Sequence, residues 1–178
     1  MLTTRTLALG ASFLLIGAGV SSCLTPPDYP DTPSIEFKSI TATRAEQNGT
    51  PYDAVRVTIS FRDGDGDLGL NNGETSPPYS ETNSDGTKNK FYNNYFFQPQ
   101  ILRGDTYVDY NLAFPYDSRF PRITSDDRKE PKRGTLNFDL QVFDSTFPTG
   151  SKIRFKVSIA DRALNMSNEV VTDPITAK

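Results

Sequence analysis

Val55-Arg56-Val57-Thr58-Ile59-Ser60-Phe61 alternates apolar and polar side chains without a break. Successive side chains of a β-strand point to opposite faces, so this run reads as a strand with one face in a core and one in water. Two further runs repeat the pattern. Leu136, Phe138, Leu140 and Val142 alternate with Asn137, Asp139 and Gln141, and Ile153, Phe155, Val157 and Ile159 alternate with Arg154, Lys156 and Ser158. Weaker strands are predicted at 35–43, 95–102, 106–110 and 169–175. Arg103-Gly104-Asp105-Thr106 and Pro148-Thr149-Gly150 carry turn residues between strands. No segment has an apolar 3.6-residue period of helical length.

Seven short strands with polar turns predict an all-β fold, an antiparallel immunoglobulin/fibronectin-III-like β-sandwich. A small β-barrel is the alternative. The paired cysteines and intervening Trp of antibody domains are missing, so the pattern supports the architecture alone.

The strand at Val55 runs into Asp63-Gly64-Asp65-Gly66-Asp67-Leu68-Gly69-Leu70-Asn71-Asn72-Gly73-Glu74. Ca²⁺ is a hard cation that takes six to eight oxygen ligands, and D-x-D-x-D allows one tight loop to aim three carboxylates at one centre. With Asp63 at position 1, the acids fall at 1, 3, 5 and 12, the last being Glu74. An EF-hand needs Gly at position 6, where this chain has Leu68, and a helix before the loop, where it has a strand. The EF-hand is rejected and a Ca²⁺-type acidic loop is kept. The same residues also suit a turn that binds nothing, because Gly supplies positive φ and Asp makes Asx turns. Against a plain turn stands the mutual repulsion of three carboxylates.

In a seven-strand sandwich the second and sixth strands run the same way in facing sheets, so their ends share a pole. Those strands end at Asp63 and Asp161. Asp161, with Asn165, is therefore expected near the acidic loop, either completing its ligand shell or bracing it. The bland alternative pairs Asp161 with Arg62 or Arg162. The candidate Ca²⁺ residues are thus Asp63, Asp65, Asp67, Glu74 and Asp161.

Two stretches exceed ordinary turns. Residues 71–90 are polar and rich in Gly, Pro, Asn and Ser, and read as a mobile loop. Residues 111–133 are charged and carry Phe114, Tyr116 and Phe120, which either fold back over the core edge or form a binding surface.

Upstream of the domain, the apolar stretch from Leu7 to Val20 follows a single charge, Arg5, and closes on Val20-Ser21-Ser22-Cys23. This is a secretory signal with the only cysteine of the chain at its cut. The run resembles the lipobox of bacterial lipoproteins. That resemblance implies cleavage after residue 22, covalent lipid on Cys23, and an exported protein held on a membrane. Residues 23–33 then form a lipidated, Pro-rich tether, and 34–178 a single domain. No later apolar stretch reaches the ~18 residues of a spanning helix.

Composition narrows the chemistry. There is no His, which removes imidazole triads and His-ligated zinc. Lipid on Cys23 leaves no thiol for a nucleophile or a disulfide. The formal net charge of −3, without a basic run, argues against nucleic-acid partners. The absence of Trp weakens glycan stacking, although 8 Tyr and 12 Phe offer substitutes.

FRDGDGDLGL at 61–70 and KVSIADRALNMSNEVVTDPI at 156–175 resemble a group of small Bacteroidota lipoproteins. The shared features are a lipobox, a Pro-rich spacer, a strand leading into DGDGDLG, and a closing V-x-D-x-x-x-N-x-S-N hairpin. The last hairpin also resembles bacterial immunoglobulin-like domains. The resemblance implies a fold and an envelope location, with the outer membrane favoured, and supplies no reaction.

Three functions are weighed. The first is a non-catalytic structural or binding module of the envelope, Ca²⁺-stabilised through its acidic loop, with an envelope protein as partner. The second is a surface glycan-binding lipoprotein using Tyr92, Tyr95, Phe114, Tyr116 and Phe120. The third is a carboxylate-based hydrolase, disfavoured because the acids are expected in solvent-facing turns rather than in a cleft.

Overall fold

The chain's period-two runs become two antiparallel sheets facing each other across one core. The structure, a computed structural model, describes residues 27–126 and 128–178. Residues 1–22, read from the sequence as a signal, and Cys23 lie outside the described residues. β1 (Ser34–Gln47) and β2 (Thr50–Asp63) form a long hairpin, and β5 (Lys132–Phe143) pairs with the other edge of β2. The second sheet contains β3 (Tyr95–Arg103), β4 (Thr106–Asp109), β6 (Lys152–Ile159), β7 (Val170–Val171) and β8 (Ile175–Thr176). Its order is β4-β3-β6-β7, with β8 also beside β6. This is the antiparallel immunoglobulin/fibronectin-III-like sandwich expected from the pattern, and not a barrel.

The predicted seventh strand at 169–175 is broken in two. Pro174 has no N–H to give to a ladder. At the break, the Thr172 amide donates to Phe155 O and its hydroxyl accepts from Phe155 N, so side chain and backbone together replace the missing strand contacts. β1 runs past its predicted end at 43, because Asn48 and Gly49 make a tight turn with φ of 52° and 79°. A type I′ turn demands positive φ at both positions, and Asn-Gly supplies it.

The core stripes follow the parity of the sequence. Val55, Val57, Ile59 and Phe61 of β2 face Ile153, Phe155, Val157 and Ile159 of β6, all 5% exposed or less. Phe97 stacks on Phe138 at 4.5 Å between ring centres and packs edge-on against Tyr95, filling the middle of the sandwich. Gly134 is small because the Phe61 ring lies where its Cβ would stand, at 2.9 Å.

The long loops are pinned to this body. Arg119 donates to Tyr79 O at 3.0 Å, Glu74 O at 2.9 Å and Asn71 O at 3.0 Å, and also to Tyr92 O, while its guanidinium lies 4.2 Å from the Tyr92 ring centre. The Asn89 side chain bonds Pro78 O, Ser80 O and Phe91 N. These contacts replace the mobile loop expected at 71–90. The 111–133 segment crosses the pole below, with Ser118 bridged to Tyr95 and Phe120 buried in the core.

Candidate metal centre

β2 carries its core-facing stripe one residue too far for an apolar interior. Val55, Val57, Ile59 and Phe61 are followed on the same face by Asp63, which is 0% exposed. β6 does the same: its stripe from Ile153 to Ile159 continues into Asp161, which is 4% exposed. The two stripes end at the same pole, where Leu68, just past Asp67, makes an isolated bridge with Asp161. The shared pole expected from topology is therefore present.

Asp63, Asp65 and Asp67 converge there. One carboxylate oxygen from each lies within 4.8 Å of the other two. That spread is about twice the Ca–O distance of roughly 2.3–2.6 Å, so one Ca²⁺ can reach all three. Both Asp63 oxygens are buried and without a hydrogen-bond partner, as is Oδ1 of Asp65. Buried carboxylates ordinarily have partners, because removing a bare charge from water costs several kcal/mol.

The glycines make the convergence possible. Gly66 has φ of +70°, and a Cβ there would lie 2.4 Å from Glu130 O. Gly64 lies against the incoming chain, where its Cβ would meet Tyr29 O at 2.2 Å. Strand, residues 29–30 and the 130–132 segment thus close tightly around the loop.

Among the described residues, two lysines lie close to the loop. Lys132, opposite Asp63 in the β2–β5 register and against Gly66, is paired with Glu130. Lys129 Nζ lies 3.1 Å from Asp65 Oδ2, but that lysine side chain is 77% exposed. Burial pushes the Asp63 carboxyl up to about 7, reinforced by the charges of Asp67, Asp65 and Asp161 and opposed by the nearby Gly66 amide, which does not reach hydrogen-bond geometry. Burial, with Asp161 and Asp65, pushes Asp67 up to about 6, against the pull of the Arg162 and Ala163 amides. Those amides donate to Asp67 at 3.4 Å and 3.1 Å. Burial also raises Asp161, opposed by Asn165, whose backbone and side-chain amides donate to its two oxygens at 2.7 Å and 2.8 Å.

The expected five-acid set resolves into three roles. Asp63, Asp65 and Asp67 form the cluster. Asp161 stands beside it but is committed to Asn165, so it braces the pole; its partner is neither Arg62 nor Arg162. Glu74 is not brought to the cluster. It accepts from Asn71 N at 2.8 Å and pairs with Arg162 Nη1 at 2.6 Å, because the chain turns away at Gly69 instead of wrapping back as an EF-hand does. Burial works to raise Glu74 and is outweighed by the Asn71 amide and the Arg162 guanidinium, which hold it below the usual range.

The acids were expected in solvent-facing turns, and that expectation is corrected. Asp63 and Asp65 are buried, because residues around Phe120–Ile123, Glu130 and Pro30 pack over the loop. Leu70 N donates to Phe120 O, Ile123 N to Leu68 O, Glu130 N to Asp65 O and Gly64 N to Pro30 O. The aromatic platform is not formed. Tyr95 and Phe120 are in the core, Tyr116 packs on Phe155 and Tyr92 lies under Arg119, leaving Phe114 alone strongly exposed, at 87%.

The polar residues of the closing hairpin each have a structural task. Ser167 bonds Ile159 N through its hydroxyl and Ile159 O through its amide. The Asn168 side chain bonds both N and O of Ile35, at 2.8 Å and 2.9 Å, as a neighbouring strand would. It thereby ties β1 to the opposite sheet. Lys129, Gly64 and the tether contact were not anticipated. The signal for the buried acid was available: Asp63 and Asp161 share the parity of the apolar stripes before them.

No protein-family model, curated protein or solved structure matches this chain.

Proposed function

We propose that the chain is an exported β-sandwich module of the cell envelope, anchored by lipid on Cys23 in the outer membrane, with a structural or binding rather than catalytic role. Its acidic pole holds one Ca²⁺ through Asp63, Asp65 and Asp67. The observation that carries the metal reading is Asp63, a fully buried carboxylate whose two oxygens have no partner and face two other carboxylates. A cation is the missing counterpart of that arrangement.

Ca²⁺ suits the donors better than the alternatives. All three ligands are hard oxygens, which excludes a preference for thiolate- or imidazole-seeking metals. Mg²⁺ surrenders its waters reluctantly and favours sites that leave several in place, whereas Asp63 and Asp65 are buried. A non-catalytic role is supported by the burial of Asp63 and Asp65. The cavity beside Asp161, lined also by Tyr79, Asn94 and Arg162, measures about 10 Å³, which is room for about one water.

Melting of the purified protein in Ca²⁺ against chelator tests the metal. At ~100 times Kd the stabilisation is about 2.7 kcal/mol, or roughly 5–10 °C in a domain of this size. An unchanged melting temperature at millimolar Ca²⁺ removes a site of useful affinity. Lipid labelling and membrane fractionation of the wild type against Cys23→Ala test the anchor. Several acyl chains hold a protein stably on a bilayer where one does not, so the variant should appear unlabelled in the soluble fraction.

A further inference from the structure

The segment that leads into the domain is built into the acidic pole. Gly64, between two of the cluster's aspartates, donates its amide to Pro30 O at 2.9 Å. A Cβ on Gly64 would lie 2.2 Å from Tyr29 O and 2.7 Å from Pro30 C, so the main chain of the tether rests on the loop backbone itself. Gly64 is not in the left-handed region, so it is glycine for space and not for conformation. Pro33, at the other end of this contact, is fully buried. Packing against the body thus includes Tyr29 and Pro30, ahead of Ser34.

We propose that the cation site is also the joint of the tether: Ca²⁺ bound by Asp63, Asp65 and Asp67 locks residues 29–33 onto the loop, and its loss releases them. This rests on the Ca²⁺ reading of the pole. Asp63 and Asp65 flank Gly64, so one backbone conformation both aims the carboxylates inward and presents the Gly64 amide to Pro30. Asp63 is wholly buried and unpartnered, which makes that conformation costly without a cation. The facing carboxylates relax by opening the loop, and opening withdraws Gly64 from Pro30.

The consequence concerns the anchor. Six residue steps separate Tyr29 from Cys23, a span of at most about 22 Å at ~3.6 Å per step. With the tether docked, the acidic pole is held within that distance of the lipidated residue. With it released, residues 29–33 add to the span between Cys23 and the domain, which then swings further from the bilayer. Ca²⁺ then sets the stiffness and reach of the attachment.

The coupling is reciprocal: the factor by which Ca²⁺ favours docking is the factor by which docking favours Ca²⁺. The test uses the full chain in detergent, titrated calorimetrically with Ca²⁺, with amide hydrogen exchange followed at Gly64, Asp31 and Thr32. Ca²⁺ should slow exchange at Gly64 by tenfold or more relative to chelator. Gly64→Ala should abolish that protection and weaken Ca²⁺ binding by a factor within the usual coupling range of roughly 5–150. Ca²⁺ binding with unchanged exchange at Gly64 in the wild type overturns the joint and leaves the metal site standing. Absence of any Ca²⁺ binding overturns both. Because the exchange comparison is made on the wild type, an unfolded Gly64→Ala variant does not rescue the idea.

Discussion

Asp53 and Asp63 occupy opposite ends of β2, on the same core-directed face, and both are buried. Their surroundings differ in one respect. Asp53 faces Arg44, whose Nη1 lies 3.4 Å from Oδ1, and Arg44 also grips Asp144 with both guanidinium nitrogens. Asp63 faces Asp65, Asp67 and Asp161, and its oxygens have no partner. One strand therefore shows both ways of ending an apolar stripe on a carboxylate. At one pole the chain provides its own cation; at the other it gathers further negative charge. That contrast argues that the second pole is neutralised from outside.

Exchanging each aspartate for asparagine should therefore move stability in opposite directions, with the larger effect at Asp63. Its carboxyl is raised from 3.8 to about 7 in the folded protein. Between those values the folded state keeps a proton that the unfolded chain has lost, so stability falls as pH rises through this window. Above the folded value the full penalty is present, of order 4 kcal/mol at about 1.36 kcal/mol per unit. In chelator, wild-type stability should decline from pH 5 to pH 8. Asp63→Asn should flatten that decline and be the more stable protein at pH 8, by about 1–3 kcal/mol once the cost of a buried amide is allowed for. With Ca²⁺ present the order should reverse, because the variant has lost a ligand. Wild-type and variant pH profiles that run parallel in chelator would show that Asp63 is already neutralised within the chain.

Much of this contrast can be read in the sequence, and the parts that cannot share a cause. Strand periodicity gives the sheets, and the odd-numbered stripe from Val55 carries Asp63 to the core side as surely as it carries Phe61. The meeting of Asp63 with Asp161 follows from topology alone. Partners brought in from irregular segments do not follow. Lys129 reaches Asp65, Tyr29 and Pro30 rest on Gly64, and Arg119 gathers carbonyls from the 71–92 stretch; in each case a loop of no fixed period supplies the contact. Asn48-Gly49 is a legible hairpin signal that extends β1 beyond the strand predicted from hydrophobicity.

At the other end of β2, Asp53→Asn should destabilise the protein. Removing one partner of a buried pair costs about 3–5 kcal/mol when the remaining charge is stranded. Arg44 is not stranded, being 38% exposed and still paired with Asp144. The expected loss is therefore smaller, about 1–2 kcal/mol by chemical denaturation, and independent of Ca²⁺. A Ca²⁺-dependent loss would mean that the two poles communicate and that the contrast between them is not local.

The smallest effect belongs to Glu74, the acid that loop spacing alone would make the twelfth-position ligand. Its two oxygens are engaged by Arg162 Nη1 and Asn71 N, and burial is modest at this position. Glu74→Gln keeps an oxygen for the Asn71 amide and weakens only a partly exposed ion pair, a loss of roughly 0.5–1 kcal/mol. If the cation is held by Asp63, Asp65 and Asp67, calorimetric Ca²⁺ affinity should change less than threefold, whereas Asp65→Asn should lower it by tenfold or more. A large loss of affinity in Glu74→Gln would mean that the loop rewraps on binding and brings Glu74 in past Gly69. The binding site would then be assembled by Ca²⁺ and not preformed, and the contrast between the two ends of β2 would describe only the metal-free state.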